Sequence, residues 1–189
     1  MPSFGWRVDA RSAYAMAKVI VQPASSTYKP RGIGGMFDSG AMISCFTLQE
    51  QPVLKVKDSE TIPCTSRVAD NSKVVGKLVV LTAHLEGDDG NPFRLPIIFL
   101  PQAQQVLIGL AGILNHYDIH HDPANWRTDF TWAGPQPPPK GMPAGAPWPN
   151  PRWAAFWEEK VTEQLAVGRS WTDWEAAGSP DDWLAHWDK

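Results

Sequence analysis

Residues 134–151 contain eight of the eighteen prolines of the chain, interleaved with glycine and alanine. Proline fixes φ and has no amide hydrogen to donate, so such a stretch forms a semi-rigid, extended linker that cannot pack a core. The 189-residue chain is therefore predicted to have three parts. They are a folded domain over residues 1–133, a linker over residues 134–151 and an appendage over residues 152–189.

The residues before the linker have the pattern of β-structure. Short apolar and β-branched segments are separated by turn residues, of which residues 87–92 (Gly-Asp-Asp-Gly-Asn-Pro) are the strongest example. The predicted strands are residues 16–21, 31–37, 42–48, 53–56, 74–85, 93–100, 106–109 and 117–121. Residues 111–115 are expected to form one helical turn, and Pro96 indicates an edge strand or a bulge. Many short strands with little helix predict a barrel or sandwich that ends near Asp122.

The segment Gly35-Met36-Phe37-Asp38-Ser39-Gly40-Ala41 is the strongest candidate for a chemical site. Two apolar residues lead into Asp38, and a small hydroxyl residue and a glycine follow at once. Glycine lets a second backbone or a substrate approach closely, and Ser39 can hydrogen-bond the neighbouring backbone. The tripeptide alone is equally compatible with an ordinary surface turn.

Charge and composition exclude several classes of function. The net charge is −3 and no block of like charge occurs, so we expect neither a nucleic-acid partner nor binding to a membrane. No apolar run reaches the length of a membrane span, and residues 1–17 lack the apolar core of a secretory signal. Cys45 and Cys64 lie far apart, which favours a reduced, cytoplasmic protein.

The appendage has helical signals. Its apolar residues recur at helical spacing, and they are Trp153, Phe156, Trp157, Val161 and Leu165. Asn150-Pro151 is a predicted helix start and Gly168 a predicted stop. Two capping boxes are predicted, at Ser170 with Asp173 and at Ser179 with Asp182, which would place Trp171 beside Trp174 and Trp183 beside Trp187.

Nine of the ten tryptophans lie at or beyond Trp126. One interpretation makes the Trp-rich appendage a docking element for a protein partner, anchored by Trp153, Phe156 and Trp157. The other is that these rings pack on each other or back onto the β domain. Stacking on single-stranded nucleic acid is not expected, because residues 152–189 hold eight acidic against four basic side chains.

The order of features before the linker resembles the retropepsins, the single-domain aspartic proteases of retroviruses, retrotransposons and related cellular and bacterial proteins. The matching segments are residues 36–41 (Met-Phe-Asp-Ser-Gly-Ala), 68–72 (Val-Ala-Asp-Asn-Ser), 106–109 (Val-Leu-Ile-Gly) and 113–119 (Ile-Leu-Asn-His-Tyr-Asp-Ile). The resemblance covers roughly residues 16–122. It implies a mainly β fold, a closed β-barrel with a short helix, and leaves the linker and the appendage unassigned.

The resemblance also implies a function. Aspartic proteases use two carboxylates that share one proton. One Asp-Ser-Gly occurs here, so Asp38 would meet Asp38 of a second chain in a two-fold homodimer that hydrolyses peptide bonds. Ser39 would support the dyad, Gly40 would permit close approach, Ala41 would line the cleft, and Gly109 would lie beneath the loop. The residues that would close over an extended peptide are Ala69, Asp70, Asn71, Ser72 and Lys73.

Two alternatives remain. The chain can be a retropepsin-fold dimerisation or binding module without useful activity, whose interaction is made by the Trp-rich appendage. A second rival is a metal site, since alternation would place His116, Asp118, His120 and Asp122 on one face of a strand. No second ligand cluster accompanies them, so the sequence predicts neither a metal nor any other cofactor.

Overall fold

The computed structural model describes residues 1–8, 12–25, 27–67, 72–135 and 153–186. Its strands are β1 (Ser3–Val8), β2 (Ala13–Val21), β3 (Arg31–Phe37), β4 (Ser44–Thr47), β5 (Ile62–Arg67), β6 (Lys73–Leu85), β7 (Phe93–Leu100), β8 (Leu107–Ile108), β9 (Tyr117–Asp122), β10 (Arg127–Trp132) and β11 (Ala185–His186). Its α-helices are α1 (Glu50–Val53), α2 (Ala154–Ala166) and α3 (Trp171–Ala176), with 3-10 turns at Asp58–Glu60 and Asp181–Trp183. The predicted mainly β class is confirmed.

The strands are hydrogen-bonded in the order β11-β5-β6-β7-β4-β8-β3-β2-β1-β10-β9. Strand β2 pairs in addition with β6, through Val19–Leu85, Ile20–His84 and Val21–Ala83. Three pairings among the described strands are parallel, β3 with β8, β4 with β7 and β11 with β5. Strand β8 lies between β3 and β4, beside the Asp38 segment.

Strands β6 and β7 separate two hydrophobic clusters. Successive side chains of a strand point to opposite faces. The inner cluster includes Val19, Ile33, Phe37, Leu81, Leu95, Ile97, Phe99, Ile108, Tyr117 and Phe130. The outer cluster is Ile43, Ile62, Cys64, Val74, Leu78, Val80, Ile98, Leu100, Ala111, Trp157 and Val161. Because both faces of these two strands are covered, they read in sequence as nearly continuous apolar runs.

The β-structure extends further at both ends than the sequence pattern predicted. Strand β1 precedes the expected first strand, and β2 begins at Ala13 rather than at residue 16. Strand β10 follows the expected end at Asp122 and pairs with both β1 and β9. Strands β1 (Ser-Phe-Gly-Trp-Arg-Val) and β10 (Arg-Thr-Asp-Phe-Thr-Trp) each have aromatic residues at alternate positions, a short β pattern that the sequence analysis missed.

The predicted strand at residues 53–56 was wrong, because this region is a helical turn. Helix α1 spans Glu50–Val53 and the amide of Leu54 donates to the carbonyl of Glu50 at 2.9 Å. Lys55 then adopts a left-handed backbone with φ of 56°, which ends the helix. The proline at position 52 lies in the first turn, where no amide donor is needed.

The expectation that Pro96 marks an edge strand or a bulge was also wrong. Strand β7 has neighbours on both sides, with Val80 of β6 opposite Pro96. The pairing with β4 begins one residue later, at Ile97. Proline is accommodated because its missing amide lies just before the doubly paired part of the strand.

The appendage matches its predicted helices in part. Helix α2 begins after Trp153, and Gly168 follows its end with φ of 71°. The Ser170 capping box is confirmed, since the Ser170 hydroxyl accepts from the amide of Asp173 at 3.2 Å.

The second capping box was wrong. Ser179 has φ of 59° and the 3-10 turn Asp181–Trp183 begins after Pro180. The chain then enters β11 instead of a helix. Asn150, Pro151 and Trp187 lie outside the described residues, as does most of the linker, so the division into three parts stays a prediction.

Among the helices of the described residues, none has the length and apolar character needed to cross a membrane.

Gly76 of β6 provides a test of the packing between the sheet and the outer cluster. A Cβ at this position would lie 2.5 Å from Leu100 Cδ2 and 2.7 Å from both Ile98 Cγ1 and the carbonyl oxygen of Phe99. We expect Gly76→Ala to lower the free energy of unfolding by about 1–3 kcal/mol, measured by urea denaturation. Gly34→Ala in β3 is the matched control, since nothing lies within 4 Å of a Cβ there. Equal stability of the two variants would contradict the packing described.

Candidate active site

Asp38 lies where β3 ends, and β8 fixes its backbone. Strand β3 runs parallel to β8, with Met36 opposite Leu107 and Phe37 opposite Ile108. The amide of Asp38 donates to the carbonyl of Ile108 at 3.0 Å, which extends this pairing by one bond. The apolar residues before Asp38 are thus the buried end of a strand.

The residue before Asp38 is a buried anchor. The Phe37 side chain is 6% exposed. Its ring lies 5.4 Å from that of Phe130 in an edge-to-face contact and 6.1 Å from that of His121. The contacts of Phe37 with β9 and β10 therefore fix the end of β3, which precedes Asp38.

The Asp38-Ser39-Gly40 segment folds into a compact turn. The amide of Gly40 donates to Asp38 Oδ1 at 2.8 Å, and the amide of Ala41 donates to the Asp38 carbonyl at 3.1 Å. A Cβ on Gly40 would lie 3.2 Å from Oδ1, so the absence of a side chain favours this bond. Asp38 is half-buried, while Ser39 and Gly40 are exposed. The turn orients the carboxylate through its own backbone.

Gly109 packs against the backbone of the residues that follow this turn. A Cβ at Gly109 would lie 2.5 Å from both the carbonyl carbon and the oxygen of Ile43, and 3.0 Å from the oxygen of Ala41. Only a residue without a side chain fits this contact. The next two amides, of Leu110 and Ala111, donate to the carbonyls of Ala41 and of the residue after it at 3.0 and 2.8 Å.

Ser44 is a supporting residue that the sequence analysis missed. Its side chain is fully buried, and its hydroxyl accepts a hydrogen bond from the Gly109 amide at 3.1 Å. A hydroxyl residue in the apolar run of residues 42–48 was the available signal, because a buried hydroxyl needs a partner. Ser44 thereby joins the strand after the Asp38 turn to the strand that crosses beneath it.

The structure brings Asp38, Ser39, Gly40, Ala41 and Gly109 together in one loop region. Ala69, Asp70 and Asn71 lie outside the described residues. Ser72 precedes β6, and Lys73 is its first residue, opposite Arg67 of β5. The predicted substrate-covering residues therefore belong to the β5–β6 hairpin as far as that hairpin is described.

A cavity of about 250 Å³ flanks β3 before it reaches Asp38. Its lining residues are Arg7, Tyr14, Met16, Gly34, Gly35, Met36, Gln105 and Val106. Neither Asp38 nor the residues of its turn belong to this lining. The Asp38 carboxylate is thus half-exposed on the surface of a single chain rather than enclosed within it.

His116, which precedes β9, and His121 of β9 both contact other side chains. His116 stacks on the ring of Trp132 at 5.1 Å, and burial lowers the pKa of its imidazole. His121 Nδ1 lies 2.9 Å from the Thr128 hydroxyl. Within the described parts of the chain, no group of three or more histidine, cysteine, aspartate or glutamate side chains is arranged to hold a metal ion.

The two cysteines are poorly suited to act as nucleophiles. Cys45, on β4 opposite Leu107, is largely buried, and burial raises the pKa of its thiol to about 11. Cys64 is fully buried in the outer cluster. A thiol that stays protonated at neutral pH is a poor nucleophile. Asp38 is accordingly the reactive candidate of this loop region.

The chain matches no protein-family model and no curated protein. Among solved structures it is similar to a retropepsin-like aspartic protease from Rickettsia conorii, with a TM-score of 0.48 and 14% identity. That similarity covers 68% of this chain and 98% of the other. These comparisons do not place the chain in a family.

Ser44→Ala tests the support beneath the turn. Removal of the hydroxyl leaves the buried Gly109 amide without its acceptor, so we expect a loss of about 1–3 kcal/mol in the free energy of unfolding. Ser39→Ala changes the same chemical group at an exposed position, and we expect a shift within about 0.5 kcal/mol. Chemical denaturation of both variants measures the difference. A neutral Ser44→Ala variant would contradict the role assigned to this hydrogen bond.

The cysteine environment predicts slow alkylation. Below the raised pKa of about 11, the Cys45 thiol is protonated, and Cys64 is inaccessible. We expect iodoacetamide at about pH 8 to label neither residue appreciably in the folded protein and both residues after unfolding in urea. Mass spectrometry of the labelled peptides measures the rates. Rapid labelling of Cys45 in the folded chain would show that its thiol is not held as described.

Proposed function

We propose that the chain is an aspartic endopeptidase of the retropepsin type, in which Asp38 from two identical subunits forms the catalytic dyad. The observation that carries the proposal is the fixed geometry of the Asp38 turn. Its backbone is held by Ile108, its carboxylate by the Gly40 amide, and its underside by Gly109. Ordinary surface turns do not need support from a crossing strand.

The second oxygen of the Asp38 carboxylate supports the proposal that Asp38 is completed by a second chain. Asp38 Oδ1 accepts the Gly40 amide, whereas Oδ2 accepts no hydrogen bond from the described residues. The carboxylate is also half-exposed, so that a second copy can approach it. A two-fold axis beside this turn would bring two such oxygens together in an isologous dimer.

Two carboxylates in such a site share one proton and divide the chemistry between them. The ionised carboxylate removes a proton from a water molecule, whose oxygen attacks the peptide carbonyl carbon. The protonated carboxyl group donates its proton to the carbonyl oxygen, which gives a neutral tetrahedral diol. Collapse of the diol breaks the C–N bond as the amine leaving group takes up a proton. No metal or cofactor is needed for these steps.

The remaining residues have supporting roles in this proposal. Ser39 supports the dyad by hydrogen bonding and Ala41 lines the cleft. Ala69, Asp70, Asn71, Ser72 and Lys73 form the flap that closes over an extended peptide and offers it strand-like hydrogen bonds. The double pairing of β2, with β3 and with β6, supports a closed barrel as the scaffold. The presence of only two cysteines, outside any Cys-x-x-Cys arrangement, supports a reducing location such as the cytoplasm.

The alternative function is a dimerisation or binding module of the same fold without useful activity. The burial of Trp157, which is 0% exposed, disfavours the version in which this residue anchors an external partner. A binding module would need the fixed turn for its fold but would not need the Asp38 carboxylate. The two functions therefore differ in what they require of the Asp38 side chain.

The substitution Asp38→Asn distinguishes the endopeptidase from the binding module. The amide is isosteric but cannot act as a base, so we expect cleavage of a degenerate peptide library to fall by about 10²–10⁴-fold or to vanish, at every pH from acidic to neutral. The matched control is Asp89→Asn, which alters the other Asp-Gly of the chain in an exposed turn where the carboxylate is 85% exposed. We expect the control to keep wild-type activity.

Dependence on dilution tests the shared dyad. Activity per chain should fall as the protein is diluted below its dimerisation constant, and sedimentation should show the same transition. Cleavage that survives Asp38→Asn would contradict the proposed catalyst. An inert wild-type dimer at every pH would favour the binding module instead.

A further inference from the structure

We infer that residues 153–186 are an intramolecular positioning element for the proposed site, and that Trp157 is the residue through which this element acts. The inference rests on the proposed function, because it concerns the two parts of the same site. One part is residues 42–45, which follow the Asp38 turn. The other part is the β5–β6 hairpin. The element is called the brace below.

The outer cluster joins the brace to both parts of the site. Ile43 lies three residues after Gly40 and carries the backbone on which Gly109 rests. Its side chain belongs to the same buried cluster as Trp157. Ile62 of β5 and Leu78 of β6 belong to it as well, and both are fully buried. A single apolar cluster thus contains the turn support, the base of the hairpin and a tryptophan of the brace.

Asn115 forms a polar link between the brace and the segment after Gly109. Its side-chain oxygen accepts hydrogen bonds from the Gly112 amide at 3.0 Å and from the Ala154 amide at 3.1 Å. Gly112 has φ of 89°, and a Cβ there would lie 2.4 Å from the carbonyl of Arg94. The first residue of α2 is therefore tied to a tightly packed turn only a few residues beyond Gly109.

Further contacts fix the brace against the hairpin. The Trp171 amide donates to the carbonyl of Thr61 at 2.7 Å. Lys77 Nζ lies 5.0 Å from the Trp171 ring and 2.7 Å from Asp58 Oδ1. These contacts reach β5 at its start and β6 at its fifth residue. They add a second attachment to the apolar packing of Trp157.

Strand β11 extends the same attachment along β5. It pairs in parallel with Cys64 and Thr65, both of which are buried. Beyond them the strand becomes half-buried at Ser66 and exposed at Arg67. The brace is therefore attached to the hairpin as far as Thr65.

The attachment of the brace to both the support of the Asp38 turn and the β5–β6 hairpin has a functional consequence. In the proposed function, the Asp38 turn and the hairpin would lie on opposite sides of the bound peptide, and efficient catalysis requires their relative position to be kept within a fraction of an ångström. A brace attached to both fixes that relative position without touching substrate. Trp157 is accordingly a positioning residue and not a catalytic one.

The test is hydrogen–deuterium exchange of the full chain, followed peptide by peptide, for Trp157→Ala and Trp157→Phe. In Trp157→Ala we expect exchange to rise about tenfold in residues 42–45 and 61–65, with little change in β2 and β3 of the inner cluster. The Phe variant should recover most of the protection. Trp126→Ala is the matched control, because this tryptophan is 50% exposed and lies outside both hydrophobic clusters.

Two results would overturn the inference. If exchange in Trp157→Ala rises equally across β2, β3 and the site, Trp157 contributes only global stability. If exchange near the site is unchanged, Trp157 is not linked to the site. Val161→Ala, a smaller change in the same cluster at a residue 8% exposed, keeps the test decisive if Trp157→Ala does not fold. It should accelerate exchange at the same residues.

Activity provides the second readout. With an active wild type, we expect Trp157→Ala to lower kcat/KM about tenfold and Trp157→Phe to restore it, at a temperature where both are folded. An inactive wild type would refute the proposed function and leave the exchange result to decide whether the brace exists. An active wild type with an unaltered Trp157→Ala variant would refute the positioning role alone.

Discussion

The contact of Gly109 with the backbone of Ala41 and Ile43 is the constraint on which the candidate site depends. The hypothetical Cβ distances of 2.5–3.0 Å leave no room for a side chain. The same contact brings the Ser44 hydroxyl and the Gly109 amide together. The parallel pairing of β3 with β8 then fixes where Asp38 emerges. The carboxylate is thus oriented by non-local backbone packing, which a turn motif in isolation does not supply.

Sequence patterns predicted the strands that bury one or both faces. Residues 93–100 have the observed bounds of β7, because apolar content is highest where both faces of a strand are covered. The patterns failed where tertiary contacts decide the conformation. Strand β10 pairs with β1 from the other end of the chain, and Ser179 adopts a left-handed backbone that its capping pattern does not reveal.

The site was predictable to the extent that it depends on backbone requirements. Glycine at positions 40 and 109 and an apolar approach to Asp38 are local features, and the sequence predicted their association through a family resemblance. Ser44 was missed because a single hydroxyl in an apolar strand has many possible partners. The burial of Trp157 could not be predicted either, because it depends on where α2 packs against strands that are distant in sequence.

The burial of Trp157 changes how the Trp-rich appendage is understood. An external docking helix would leave its aromatic anchors accessible, whereas Trp157 is fully buried in a cluster that contains residues of β5, β6 and β7. A large side chain so enclosed ties the appendage to the β domain. Because the cluster it fills also contains Ile43, any event that detaches α2 removes packing from behind the Asp38 loop. The appendage and the candidate site therefore form one structural unit, even though a proline-rich stretch separates them in sequence.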